Sequence, residues 1–115
     1  MHAAGAGAAL VWCPFPDTES ARAAAATLLD ERLIACANIL GAIESHFVWE
    51  GARASGSEVA VLFKTTSDGL TPLVDRLGSL HPYDTPAIVG WHCDAAHLAS
   101  LAWLAATCQH QPQQD

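Results

Sequence analysis

Residues 35–66 read ACANILGAIESHFVWEGARASGSEVAVLFKTT, and this stretch decides the fold. From Ala35 to Trp49 the β-branched and aromatic residues Ile39, Ile43, Phe47 and Val48 recur mostly two or four apart, the spacing of side chains on a pleated strand. Gly41 interrupts the run where a bulge or bend fits. Glu50-Gly51 and Ser55-Gly56-Ser57 then supply turn chemistry, after which Val59, Val61 and Phe63 alternate with smaller or polar neighbours. The pattern predicts two long strands paired as an antiparallel hairpin. Both strands are apolar on more than one side, so a charge placed at Ile43 or Val61 is expected to disturb an interface if either residue faces a neighbouring subunit.

Working outward, Ala8 to Cys13 is a continuous apolar run that predicts a short buried strand stopping at Pro14-Phe15-Pro16. Asp17 is placed to cap a following helix, with Glu19 in its first turn and an Ala-rich run through Leu28 and Leu29 to Arg32. Beyond the hairpin, Asp68 is the expected cap of a second helix, whose Leu70, Leu73, Val74, Leu77 and Leu80 form one apolar stripe. The segment His81-Pro82-Tyr83-Asp84-Thr85-Pro86 is a turn bracketed by prolines, and Ile88, Val89 and Trp91 predict a final core strand. Asp94 is the expected cap of a third helix with Leu98, Leu101, Ala102 and Ala105 inward, and the polar tail Gln109–Asp115 is expected to fray. The order β-α-β-β-α-β-α is that of an α+β, ferredoxin-like split βαβ sandwich with an added C-terminal helix. A chain of 115 residues fits one domain, residues 1–115, with a core over about 8–108.

Composition narrows the function. Apolar residues make up 51% and charged residues 15%, a high apolar load for so small a body, which predicts that some apolar surface meets a partner subunit. The net charge of −7, with Arg22, Arg32, Arg53, Lys64 and Arg76 scattered, leaves no basic stripe for nucleic acid or an anionic membrane, while an acidic field favours cations. The apolar run Ala3–Trp12 has no Lys or Arg ahead of it and reads poorly as a signal peptide. Cys13, Cys36, Cys93 and Cys108 lack any C-x-x-C spacing and fit reduced thiols, so the expected compartment is cytoplasmic. No G-x-S-x-G elbow, glycine-rich phosphate loop or H-E-x-x-H occurs, and the chain is not expected to be an enzyme.

Four blocks carry a family likeness: Ala35-Cys36-Ala37-Asn38-Ile39, Trp49-Glu50-Gly51, Ser57-Glu58-Val59 through Lys64-Thr65, and His81-Pro82-Tyr83-Asp84-Thr85-Pro86. In order and spacing they resemble the CutA family of divalent-cation tolerance proteins, from about Val11 to Thr107. The resemblance implies a homotrimer of ferredoxin-like subunits, strands joining across subunit boundaries, and a link to Cu(II) or another divalent cation, with no organic cofactor. It further implies metal ligands at a Cys ending the first strand and at two consecutive His before Pro-Tyr. Cys13 and His81 match two of those positions, and Leu80 stands at the third, where it cannot ligate a metal. Ala87 replaces the acidic residue that usually follows the second Pro, and the trio His92, Cys93 and His97 departs from the family's Pro or apolar residues.

Trp49, Glu50, Lys64, Tyr83 and Asp84 lie near predicted strand ends and the bracketed turn, where they could line a cleft between subunits. A simpler use of the charges is an ion pair from Lys64 to Glu50 or Asp84. Two functions follow as expectations: a divalent-cation (copper-class) binding trimer that contributes to metal tolerance, or a PII-like trimeric scaffold that binds a small molecule or protein at inter-subunit clefts.

Overall fold

The computed structural model describes residues 7–108 and runs β1 (Ala8–Phe15), α1 (Thr18–Asp30), β2 (Cys36–Trp49), β3 (Ala52–Thr66), α2 (Leu70–Leu80), β4 (Val89–His92) and α3 (Leu98–Thr107). The tail Gln109–Asp115 and the start of the apolar run at Ala3 lie outside the described residues. The four strands form one sheet in the order β2-β3-β1-β4 with every neighbouring pair antiparallel. β1 and β2 thus run parallel with β3 between them, the split βαβ arrangement of a ferredoxin-like α+β fold.

The hairpin is longer than its turn residues suggested. Glu50 and Gly51 take φ of 52° and 80°, the left-handed pair that a two-residue turn between twisted strands requires. One tight turn is then enough, and Ser55-Gly56-Ser57 is not a turn but part of β3, paired across to Ser45 and Glu44. Gly41 does mark a bulge: the register shifts between Ile39 and Gly41, where φ reaches 104°.

β1 also outruns its expected end, continuing through Pro14 and Phe15 opposite Ala60 and Val59. Proline is tolerated there because β4 stops pairing at Trp12, so Pro14 has no strand on that side to receive an N–H bond. Alternation along β1 sends Val11, Cys13 and Phe15 to one face, where they meet Val59, Val61 and Phe63 of β3 and Ala21, Leu28, Leu73 and Leu77 of the helices in a single core. Val61 therefore faces its own helices, and a charge there would test the core rather than an interface.

Among the described residues no helix lies over the opposite face of the sheet. Leu10, Trp12 and Leu62 are half-buried there, beside Val89 and Trp91, which are 58% and 47% exposed. The expected "final core strand" is thus an edge strand with its large side chains on the open face. Its helix-facing position is Gly90, where an added Cβ would lie 2.9 Å from the Leu10 carbonyl oxygen and 2.7 Å from Leu70 Cδ1.

Helix starts follow local hydrogen bonding. The Asp17 carboxylate accepts from the Ser20 N–H at 2.7 Å, a bond that holds its pKa below the usual carboxylate range. Asp68 does not cap α2: Gly69 is the cap residue, and the Gly69 N–H donates to Thr66 Oγ1 at 3.1 Å. Asp94 does not cap α3 either, because His97 does. Leu104 and the following Cys108 are the buried positions here, while Leu98, expected inward, is 82% exposed and Ala102 and Ala105 are exposed with it.

At the end of α1 the Leu33 N–H returns to Leu28 O and the Arg32 N–H to Leu29 O, both at 3.0 Å. This double closure places Arg32 at φ 61°, a position that glycine usually fills. Arg32→Gly removes the Cβ penalty and is expected to raise stability by about 0.5–1 kcal/mol, read as a higher urea midpoint at unchanged slope.

Candidate functional site

The residues that hold the site come from three elements meeting at the end of β1. α2 ends because Pro82 biases the residue before it to extended backbone, and His81 takes φ −72° and ψ 139°. That turn folds the His81 ring back over β1. It stacks on Phe15 with ring centroids 4.6 Å apart and touches the Tyr83 ring at 4.8 Å, leaving the residue 7% exposed.

Both imidazole nitrogens are engaged. Nε2 lies 2.7 Å from the Pro14 carbonyl oxygen, which can only accept, so Nε2–H donates. Nδ1 accepts the Tyr83 N–H at 3.1 Å. The ring is therefore the neutral Nε2–H tautomer, pinning the 81–86 turn to β1.

Cys13 is fully buried, and its thiol also meets the Pro14 carbonyl oxygen, at 3.8 Å. The two residues singled out from the sequence as metal ligands are thus brought together, both directed at one carbonyl. Burial, with a smaller contribution from the Glu58 carboxylate, pushes the Cys13 thiol up to about 12. A thiol so buried holds its proton and is a poor donor until the proton is displaced.

Glu58 is the member of this group that sequence reasoning missed. Its Oε2 accepts from the Tyr83 hydroxyl at 3.1 Å, and burial together with that carboxylate raises the Tyr83 pKa. Only its place in the block Ser57-Glu58-Val59 could have drawn attention to it. Leu80 half-buries its side chain against the core and offers no donor. Among the described residues no three His, Cys, Asp or Glu side chains are gathered so as to hold a metal ion. Thiol and imidazole are a soft, borderline pair suited to copper or zinc, but within one chain they form half of a coordination sphere. The trio His92, Cys93 and His97 does not gather either: the Cys93 N–H donates to Ala8 O and His97 caps α3.

The proposed cleft residues are dispersed in one chain. Trp49 and Glu50 sit at the hairpin tip, Lys64 pairs with Cys36 at its base, and Tyr83 and Asp84 are exposed beside Glu58. The length of the hairpin keeps Lys64 from Glu50, and no Lys64 ion pair with Glu50 or Asp84 forms among the described residues. Among the described residues Arg76 pairs with Glu31, and the His46 ring meets the Glu44 carboxylate.

The architecture is that of a ferredoxin-like α+β chain carrying a thiol and an imidazole at the end of its first strand, with one sheet face and a long hairpin left uncovered by the described residues. The family described as "CutA1 divalent ion tolerance protein" matches residues 9–107. A divalent-cation tolerance protein CutA of Pyrococcus horikoshii is 43% identical over 95 residues, 83% of this chain and 92% of its own. The crystal structure of a divalent ion tolerance protein CutA1 from Ehrlichia chaffeensis superposes with a TM-score of 0.84 at 33% identity, covering 90% of this chain and 96% of that one. CutA1 from Pyrococcus horikoshii superposes at 0.82 with 39% identity, over 88% and 98% of the two chains. The chain belongs to the CutA1 divalent ion tolerance family.

Proposed function

We propose that the protein serves divalent-cation tolerance in the cytoplasm as a homotrimer, and that a copper-class ion is taken up through Cys13 and His81. The observation that carries the metal part is the convergence of thiol and imidazole on the Pro14 carbonyl, which puts a soft donor pair at one point of the fold. The trimer is supported by the uncovered sheet face, an apolar surface that a water-facing monomer has no use for. Donors beyond the pair come from outside the single chain, and the ion must displace the Cys13 proton.

A second reading is favoured by one fact: Cys13 and His81 already have protein partners, so the turn stands without a metal. On that reading the trimer is a PII-like scaffold, and Trp49, Glu50, Lys64, Tyr83 and Asp84 meet across subunit boundaries to bind a small molecule or protein.

Native mass spectrometry with Cu(II) and Zn(II) separates the two. The metal reading expects a trimer with stoichiometric copper, uptake that weakens as pH falls, and loss of copper in Cys13→Ser with the trimer intact. A wild-type trimer that stays metal-free selects the scaffold. Copper bound equally by wild type, Cys13→Ser and His81→Ala removes these two ligands.

A further inference from the structure

We propose that His97 makes α3 a pH-sensitive element whose first turn opens on acidification. The helix starts at a histidine cap: His97 takes φ −63° and ψ 142°, and its Nδ1 accepts the Ala99 N–H at 3.2 Å. Its carbonyl accepts the Leu101 N–H at 3.0 Å, so the same residue anchors the side-chain cap and the first backbone bond. An accepting ring nitrogen carries no proton. Histidine changes charge between about pH 5 and 8, and protonation turns Nδ1 from acceptor into donor. The cap bond is then lost and a positive charge faces the positive end of the helix dipole, so both effects act in one direction. The cap contributes while the ring is neutral and is lost once acid protonates it.

The rest of α3 makes this bond matter. A ten-residue helix is too short to persist on propensity alone. Leu104 is its one buried side chain, while Leu98 and Trp103 are 82% and 45% exposed. Around the imidazole, the titratable groups of the preceding loop are Cys93 and Asp94. Those of β3, the strand α3 packs on, are Arg53, Glu58 and Lys64. Among the described residues none of these is hydrogen-bonded or ion-paired to the ring, whose one bond is the cap itself.

The test is hydrogen exchange on the full-length protein between pH 8 and 5, corrected for the intrinsic exchange rate, on wild type, His97→Ser and His97→Ala. Native mass spectrometry run alongside follows the oligomer. In the wild type, protection of the Ala99 and Leu101 amides is expected to fall about fivefold on acidification, the factor that a cap of ~1 kcal/mol represents. His97→Ser, a cap that does not titrate, is expected to hold its protection across the range. His97→Ala is expected to be weakly protected throughout. The proposal is overturned if wild type and His97→Ser respond to pH alike, whether in exchange or in oligomer mass, or if His97→Ala is as protected as the wild type.

Discussion

Replacing Phe15 with alanine is expected to lower the free energy of unfolding by about 3–5 kcal/mol, at the upper end for one core truncation. Phe15 is fully buried, stacks on His81 at 4.6 Å and meets the Phe63 ring edge-on at 6.3 Å. The cost has two parts. One is the transfer and cavity term of any large core side chain. The other is indirect: without the Phe15 face, the His81 ring loses the surface that holds its Nε2–H on the Pro14 carbonyl, so the buried imidazole and the 81–86 turn lose their anchor. Phe15→Leu keeps most of the volume but no ring and is expected to cost less, while Leu98→Ala on exposed α3 should fall within about 0.5 kcal/mol of wild type. Urea unfolding at fixed protein concentration reads all three. If Phe15→Ala and Leu98→Ala shift the midpoint equally, the account of this core is wrong.

The sequence was most informative where one local cause decides the outcome. Alternating and i, i+3/i+4 apolar positions placed the strands and the second helix, Gly41 marked its bulge, and Asp17 its cap, because each signal acts on its own neighbours. It misled where two local signals competed or where the answer lay across the fold. Ser55-Gly56-Ser57 has turn chemistry, but Glu50-Gly51 had already reversed the chain. Asp94 could cap a helix, but the His97 imidazole reached the free amide. Val89 and Trp91 read as core because apolar residues on a strand do not say which face carries helices. Cys13 and His81 could be named from their motif positions. What they do in the chain could not, since both meet the Pro14 carbonyl and Cys13 also feels the Glu58 carboxylate, an arrangement set by tertiary packing.

The second large effect concerns that open face. Trp91→Asp is expected to convert the proposed trimer into folded monomers at micromolar concentration. Trp91 lies opposite Leu10 in the β1–β4 ladder and, with Trp12, Leu62 and Val89, forms the apolar surface on the side of the sheet that no helix covers. A tryptophan buries about 150–250 Å² when enclosed, and with 47% of this residue still accessible roughly 100 Å² remains for a neighbour to cover. At about 25 cal/mol per Å² that is ~2–3 kcal/mol per subunit, and enclosing a carboxylate instead adds a desolvation cost of several kcal/mol. Closed symmetry repeats the deficit in every subunit, so one substitution strikes each interface at once. The monomer itself should survive, because Trp91 contributes nothing to the buried core on the helical face. Sedimentation velocity gives the mass and circular dichroism the fold. A Trp91→Phe control is expected to remain assembled. A Trp91→Asp protein that sediments as the wild-type trimer, or a wild type that is itself monomeric, would show that this face is not where copies of the chain meet.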